Sequence, residues 1–570
     1  MGWFGGVVTA STSSAPRPMS PTWSVELSCG ALWTVGPGAG PTVTVAGAGP
    51  LTGAVLGSHT VSEDDLRAWL QGAWRAGPPS WAGTYAVVVA HHGGATVFAD
   101  PVHALPLYFC EVEGSVVWAS SSRALSGLTG TGVDLAWVSG LLVDPAGPHL
   151  PERSAFQQVY AVPPGHRLNM RRGGQAVADR WWSSPRTLPR TEAVPRFGKA
   201  LTGAVEVRLA QAELLSCDLS GGLDSTSLCL LAEQRATGAR HLTAWTVHPV
   251  SRDHGGDLDH AREAAHGRLG MRHELLALNE SELPYSGLAR MPPTDEPAPS
   301  TITCARHIVA YERIRIAGST LHMTGDGGDA LLMQSPESAL RSASRGRVIR
   351  ALRDLHGWAK LDRRSPVGLL RQSPRAGDGV SSRWLTLKAQ TMAAPGGGRG
   401  VVGFLRSDAE LLALRGIGRT AHADAQFAGA FGVRLEAPFL DRAVMETALT
   451  FRVTDRGSPW SYKPQLVAAM RDVLPEAITR RRTKGGTDAD HHLGLRARLS
   501  EVSDLLDGWL AGHGLIDPKA LRQELYLAAL GRDAPWGLLE PVVSAEVWGR
   551  VVEASPPTEW TRSRERQEAG

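Results

Sequence analysis

A chain of 570 residues is too long for one ordinary core, so two or more domains are expected. A net charge of +3, carried mostly by scattered arginine, leaves no electrostatic footprint for nucleic acid. The five cysteines (Cys29, Cys110, Cys217, Cys229, Cys304) have neither disulfide nor zinc spacing, and no apolar run reaches the roughly 20 residues that span a bilayer, so a soluble cytoplasmic protein is expected. Lysine occurs only at Lys199, Lys360, Lys388, Lys463, Lys484 and Lys519, which makes a lysine at a special position informative.

Residues 1–185 alternate short β-like runs with Gly, Pro and Ser: Trp23 to Leu27, Thr42 to Ala46, Thr84 to Ala90, Thr96 to Ala99, Leu107 to Cys110, Val116 to Ala119 and His166 to Met170. They predict a layered, mostly antiparallel β domain. An Arg-, Pro- and Ser-rich stretch from about 171 to 195 reads as a linker. A second domain, 186–555, opens with an amphipathic helix from Val194. It continues with a strand ending near Asp218, a helix finished by Ala232 to Ala239, a strand at His241 to Val247, a helix at Ala261 to Leu269 and a strand at His273 to Ala277. That alternation predicts a parallel sheet with helices on both faces and ligands at the carboxyl ends of its strands. Residues beyond about 335 read as mainly helical, with loops at Ser373 to Gly379 and Ala394 to Gly400, and 556–570 as a flexible polar tail.

The most informative stretch is Leu214 to Leu231, LLSCDLSGGLDSTSLCLL: an apolar strand, a glycine turn with hydroxyls and one carboxylate, then a helix start. Gly221 and Gly222 admit close backbone approach, and the helix N-terminus offers donors for phosphate. It is not a Walker A loop, since no GK[ST] follows. SGGxDS resembles the pyrophosphate loop of the N-type ATP pyrophosphatases, which split ATP into AMP and pyrophosphate. The resemblance implies that Ser220, Gly221, Gly222 and Ser225 hold pyrophosphate and that Asp224 binds Mg2+. In residues 1–185, Phe98 to Tyr108 (FADPVHALPLY), Trp118 to Leu125 (WASSSRAL) and Val159 to Leu168 (VYAVPPGHRL) resemble the glutaminase domain of asparagine synthetase, which implies an Ntn-hydrolase-like fold of class II amidotransferase type. That domain works with an N-terminal cysteine. Here position 2 is Gly2, which has no nucleophile, so release of ammonia from glutamine is not expected.

Leu321 to Leu331, LHMTGDGGDAL, repeats the strand, glycine and carboxylate logic, and two carboxylates three residues apart suit magnesium. It resembles the G-x-G-S-D of asparagine and β-lactam synthetases, implying Gly325 at the nucleotide and Asp329 as a second Mg2+ ligand. The x position is Asp326, neither the Glu nor the Tyr of those enzymes' catalytic dyads, which disfavours a β-lactam synthetase. Gly432 to Arg442, GVRLEAPFLDR, resembles the family's G-x-E-x-R-x-P-F-L-D, and Glu436 is the candidate base, with Asp326 as a possible partner. Tyr462 to Met470 and Leu474 to Gly485 resemble the K-x-x-L-R and R-x-K-G segments. Lys484 is expected on the α-phosphate, and Lys463 either at phosphate or at a helix start. GIGRTA (416–421) follows a helical run and reads as a helix connection, and the pairs His91, His92 and His491, His492 read as structural.

The resemblance covers nearly the whole chain and implies an ATP-dependent amide ligase with ATP and Mg2+ as cofactors. A dead N-terminal domain, a start like MxWFGG and GDGGDALL are most similar to lasso peptide cyclases. These adenylate an Asp or Glu side chain of a precursor peptide and close a macrolactam on its N-terminal amine. The implied partners are a leader-recognition protein and a leader peptidase, with the core peptide as substrate. Met291 to Ser300 (MPPTDEPAPS) is a candidate peptide-contacting loop. Two other readings stay open: an asparagine synthetase-type or other small-molecule ligase using free ammonia or an amine, and a silent homologue that binds nucleotide or peptide. The intact Asp224, Asp329, Glu436 and Lys484 argue against the silent one.

Overall fold

The structure is a computed structural model that describes residues 2–10, 15–36, 40–145, 152–236, 241–249, 257–334, 348–361, 365, 383–393, 409–480, 488–532 and 534–561. The N-terminal part is two six-stranded antiparallel sheets. One runs Tyr160–Ala161, Tyr108–Val112, Ser115–Ala119, Trp3–Val8, Gly30–Val35, Trp23–Leu27. The other runs Gln175–Arg180, His166–Arg171, Gly94–Phe98, Gly83–His91, Leu51–His59, Thr42–Ala48. Phe4, Leu32, Leu56, Val88 and Trp118 share the core where the layers meet. Every run expected from alternation overlaps a strand. Trp3–Val8 and Leu51–His59 escaped that reading because they are buried on both faces or nearly so, which removes the polar half of the alternation.

Two boundary expectations change. His166–Arg171 and Gln175–Arg180 pair as a hairpin across Gly174, so the linker is shorter than 171–195. The tail expected from 556 is docked through Thr561: Trp560–Thr561 pairs with Arg17–Pro18, and the Trp560 indole packs 5.7 Å from Trp3 and 5.9 Å from Trp33 while donating to the Ala124 carbonyl. Burying an indole with its N–H satisfied anchors this end.

Helix α1 (Arg190–Gln211) leads into a parallel sheet of β1 (Leu214–Asp218), β2 (His241–Pro249), β3 (Met271–Leu278), β4 (Leu321–Met323) and β5 (Arg434–Glu436), in the order β3-β2-β1-β4-β5. Helix α2 (Leu223–Arg235) follows β1, and α3 (Cys304–Ile316) precedes β4. The short α4 (Gly328–Leu332) follows β4, and α5 (Ala409–Ala430) precedes β5. Because every strand points the same way, the turns after β1, β4 and β5 gather on one edge. GIGRTA lies inside α5 rather than at a connection, and Gly418 allows the reason: a Cβ there would stand 2.0 Å from the Val102 carbonyl.

Candidate active site

The turn between β1 and α2 carries Ser220 to Ser225. Gly221 sits at φ +74, where a Cβ would meet the Asp257 carbonyl at 2.4 Å, so the tight turn requires glycine. The Ser225 hydroxyl accepts from the Ser220 amide at 3.2 Å and lies 2.8 Å from the Ser220 hydroxyl, pinning the loop across its mouth. Gly222 begins α2 with no side-chain cap, an arrangement suited to phosphate oxygens.

Asp224, in the first turn of α2, meets Asp329 of α4 across one cation. The Lys463 ammonium pairs with Asp224 and lies 2.6 Å from Asp329 Oδ1. Gly328 makes the approach possible, since a Cβ there would stand 2.4 Å from the Asp224 carboxyl carbon. Burial works against the charge on Lys463, but the two carboxylates outweigh it and hold the ammonium above its ordinary range. Lys463 takes the left-handed conformation, φ +44, directly before the helix Pro464–Ala469, so it both starts a helix and reaches the carboxylates. The two oxygen donors expected for Mg2+ thus converge on a single positive charge, and they fit that ion's preference for carboxylate. Lys484 and the expected loops at 373–379 and 394–400 lie outside the described residues.

Glu436 is in a different setting from the one expected of a base. Its Oε2 accepts from Arg208 Nη2 at 2.8 Å and Nε at 3.1 Å, its Oε1 accepts from the Ser58 hydroxyl, and Arg434 stands at 3.4 Å. Arg208 also donates to Asp441 Oδ1 at 2.7 Å, as does the Thr84 hydroxyl. Burial pushes the Glu436 carboxyl up, but Arg208, Arg434 and Ser58 more than offset this and hold it below the usual range. With both oxygens engaged, Glu436 is held as an ion-paired carboxylate that ties β5 to the N-terminal strands. Arg208, invisible to the motif reading, is the hub. Its one signal was an arginine flanked directly by the apolar Val207 and Leu209.

A cavity of about 570 Å³ lies between the layers. Gly2, Trp3 and Phe4 form one wall, and Thr324, Asp326 and Arg434 form another. Asp326 donates its amide to the Thr324 hydroxyl at 3.0 Å. The Met291 to Ser300 loop is largely scaffold, because Asp295 accepts from Ser121 and the Arg123 amide, both at 2.8 Å, and Thr294 and Glu296 are buried. Its Pro292 and Pro293 border a neighbouring cavity of about 350 Å³ that also touches Gly2 and Trp3. His91 stacks on Trp74, His491 bonds Glu540 and His492 bonds the Ala528 carbonyl. Among the described residues no cluster of three His, Cys, Asp or Glu side chains is placed to hold a metal, and no helix is long and apolar enough to cross a membrane.

Residues 196–550 match the asparagine synthase family. The chain belongs to that family. A stretch of 161 residues is 30% identical to carboxyethyl-arginine beta-lactam-synthase of Streptomyces clavuligerus, covering 27% of this chain and 29% of that protein, so under a third of that relative's length is matched. Two solved structures are weakly similar. One is titled as the allosteric regulatory enzyme of purine biosynthesis, at 12% identity and TM-score 0.19 over 48% of this chain and 74% of that one. The other is glutamine phosphoribosylpyrophosphate amidotransferase from B. subtilis complexed with ADP and GMP, at 12% identity and TM-score 0.19 over 57% and 75%. Superpositions that loose do not bear on the fold.

Asparagine synthase membership sharpens the reading of β5. Laid on Gly432 to Asp441, the pattern G-x-E-x-R-x-P-F-L-D puts Arg434 where the pattern has glutamate and Glu436 where it has arginine. The acid and the base have exchanged places along one strand. A guanidinium therefore stands where the pattern has its carboxylate, and Asp326, Arg434 and Glu436 all line the cavity.

Proposed function

We propose that the chain is an AMP-forming macrolactam synthetase, a lasso peptide cyclase. It activates an Asp or Glu side chain of a leader-free precursor peptide with ATP and lets the peptide's N-terminal amine close the ring. The observation that carries this reading is the cavity that runs from Gly2 to Asp326. Its size, about 570 Å³, is within the roughly 300–1,000 Å³ of sites that enclose whole organic ligands, far more than ammonia needs. On this reading the nitrogen comes with the substrate. The relative named a beta-lactam-synthase makes a cyclic amide, which is the same class of bond.

On this reading the turn from Ser220 to Ser225, with Gly325 nearby, holds the ATP phosphates. Asp224 and Asp329 would hold Mg2+, which when bound would neutralise phosphate charge. Lys463 and Lys484 add positive charge at the phosphates. The cavity orients the peptide before ring closure, the step in which orientation contributes most. A leader-recognition protein and a leader peptidase would supply the substrate.

The test is AMP release with ATP and Mg2+, comparing aspartate plus ammonia with peptides that begin with Gly and carry Asp or Glu several residues on. Peptide-dependent AMP with loss of one water from the peptide is expected. AMP from aspartate and ammonia alone would replace this reading with an asparagine synthetase-type ligase.

A further inference from the structure

The cavity between the layers differs in charge from end to end. It follows β4 along its whole length, since Thr320 and Thr324, which flank that strand, both line it. Four residues of strand span roughly 13 Å at about 3.3 Å each. Asp326 lies at the carboxyl end, in the turn that follows β4. Two guanidiniums line the other end, from Arg315 in the last turn of α3 and from Arg434, which the strand register sets beside Leu321. Neither is saturated by the protein. Arg434 Nη2 donates to Gln211 Oε1 at 2.8 Å, a neutral partner at the end of α1. Its Nε stands 3.4 Å from Glu436 Oε1 but is buried without a hydrogen bond, a costly state that a ligand oxygen would relieve. Arg315 Nε lies 3.1 Å from where a Cβ on Gly432 would stand, so the glycine lets this guanidinium lie against the chain two residues before Arg434. Among the described residues no ion pair or hydrogen bond engages the exposed Arg315 guanidinium. With Arg208 and Arg434 set against Glu436 and Asp441, Arg315 is a cation in excess.

We propose that Arg434 and Arg315 form a carboxylate-binding subsite, which holds a second acidic group of the peptide while the reacting side chain lies at the Asp326 end. The inference rests on the peptide reading above and names the chemistry of the segment away from the reacting side chain. That segment carries an anion roughly 13 Å from the reacting group, about four extended residues along the peptide. A guanidinium presents its donors in a fork that matches the two oxygens of a carboxylate, and such charge-assisted pairs are about twice as strong as neutral ones. The free C-terminus of the peptide and an Asp or Glu side chain in its tail present the same two oxygens. With both ends held, the chain between them cannot swing the reacting carbonyl away from the amine. Because the bound group does not react, the subsite stabilises substrate and transition state alike, so it acts on KM more than on kcat.

The experiment uses the full-length protein with ATP, Mg2+ and one peptide that begins with Gly, carries one Asp and continues for at least four residues. It is made in three forms: with a free C-terminus, as the C-terminal amide, and as the amide with one Glu in the tail. Relative to the amide without Glu, an acidic form should lower KM for AMP release roughly 10- to 100-fold with kcat changed little. An effect of the free terminus alone names the terminus as the occupant, and an effect of the Glu alone names the side chain. Arg315→Gln, a change on an exposed side chain, should remove that advantage, as should Arg434→Gln when folded by circular dichroism. Equal KM for all three forms in the wild type, or an acidic preference retained in Arg315→Gln or in a folded Arg434→Gln, would overturn the proposal. If no form turns over, the ligase reading fails, and calorimetric titration of the same peptides without ATP decides the subsite. Tighter binding of an acidic form by the wild type but not by Arg315→Gln supports it; equal binding, or none, contradicts it.

Discussion

Two ion clusters sit on the same edge of the parallel sheet, each with one fully buried cation between two carboxylates, and they differ in access. In the first, Lys463 joins Asp224 and Asp329, and the Asp329 side chain is 60% exposed. In the second, Arg208 joins Glu436 and Asp441, which are 8% and 0% exposed. On the proposed reading the cluster with the exposed Asp329 would exchange its ammonium contacts for a metal and phosphate oxygens. The sealed one cannot, and it spends its charge holding β5 against Ser58 and Thr84. Charge composition alone does not separate a reactive site from a structural clasp; access does.

Breaking the sealed cluster should have the largest effect on stability. Arg208→Met leaves two buried carboxylates without compensation and should cost roughly 3–5 kcal/mol, read from denaturant unfolding. Lys463→Met should cost less than half as much, because Asp329 turns to water. Equal losses would mean that the open cluster is as structural as the sealed one.

A finer difference is pH. Lys463 is raised in the folded state, so its contribution is present below the unfolded lysine value and fades as pH climbs through the folded value. Glu436 is lowered, so its contribution is present above the unfolded glutamate value and fades as pH falls through the folded value. The stability gap between wild type and Lys463→Met should therefore shrink on the alkaline side, and that for Glu436→Gln on the acid side. Gaps that shrink on the same side would dissolve the distinction.

How much of this the sequence disclosed follows from how local each feature is. The turns Ser220 to Ser225 and Gly325 to Asp329 were legible because glycines, hydroxyls and carboxylates fall within one strand-to-helix connection. The partners were not, because they come from far along the chain: Arg208 meets Glu436 across 228 positions, and Lys463 meets Asp224 across 239. The pairing of Glu436 with Arg208 was not legible either, because a motif position says which residue is present but not which guanidinium faces it. Trp3–Val8 lacked the alternation of a half-exposed strand, and the docked Trp560 finds its strand partner near the opposite end of the chain.

The central claim, that the open cluster is the nucleotide site and the sealed one is not, is tested most directly by calorimetric binding of α,β-methylene ATP with and without Mg2+. The wild type and Glu436→Gln should both bind in a Mg2+-dependent manner, while Asp329→Ala, folded by circular dichroism, should lose that dependence. Retained Mg2+-dependent binding in Asp329→Ala, or its loss in a folded Glu436→Gln, would contradict the account.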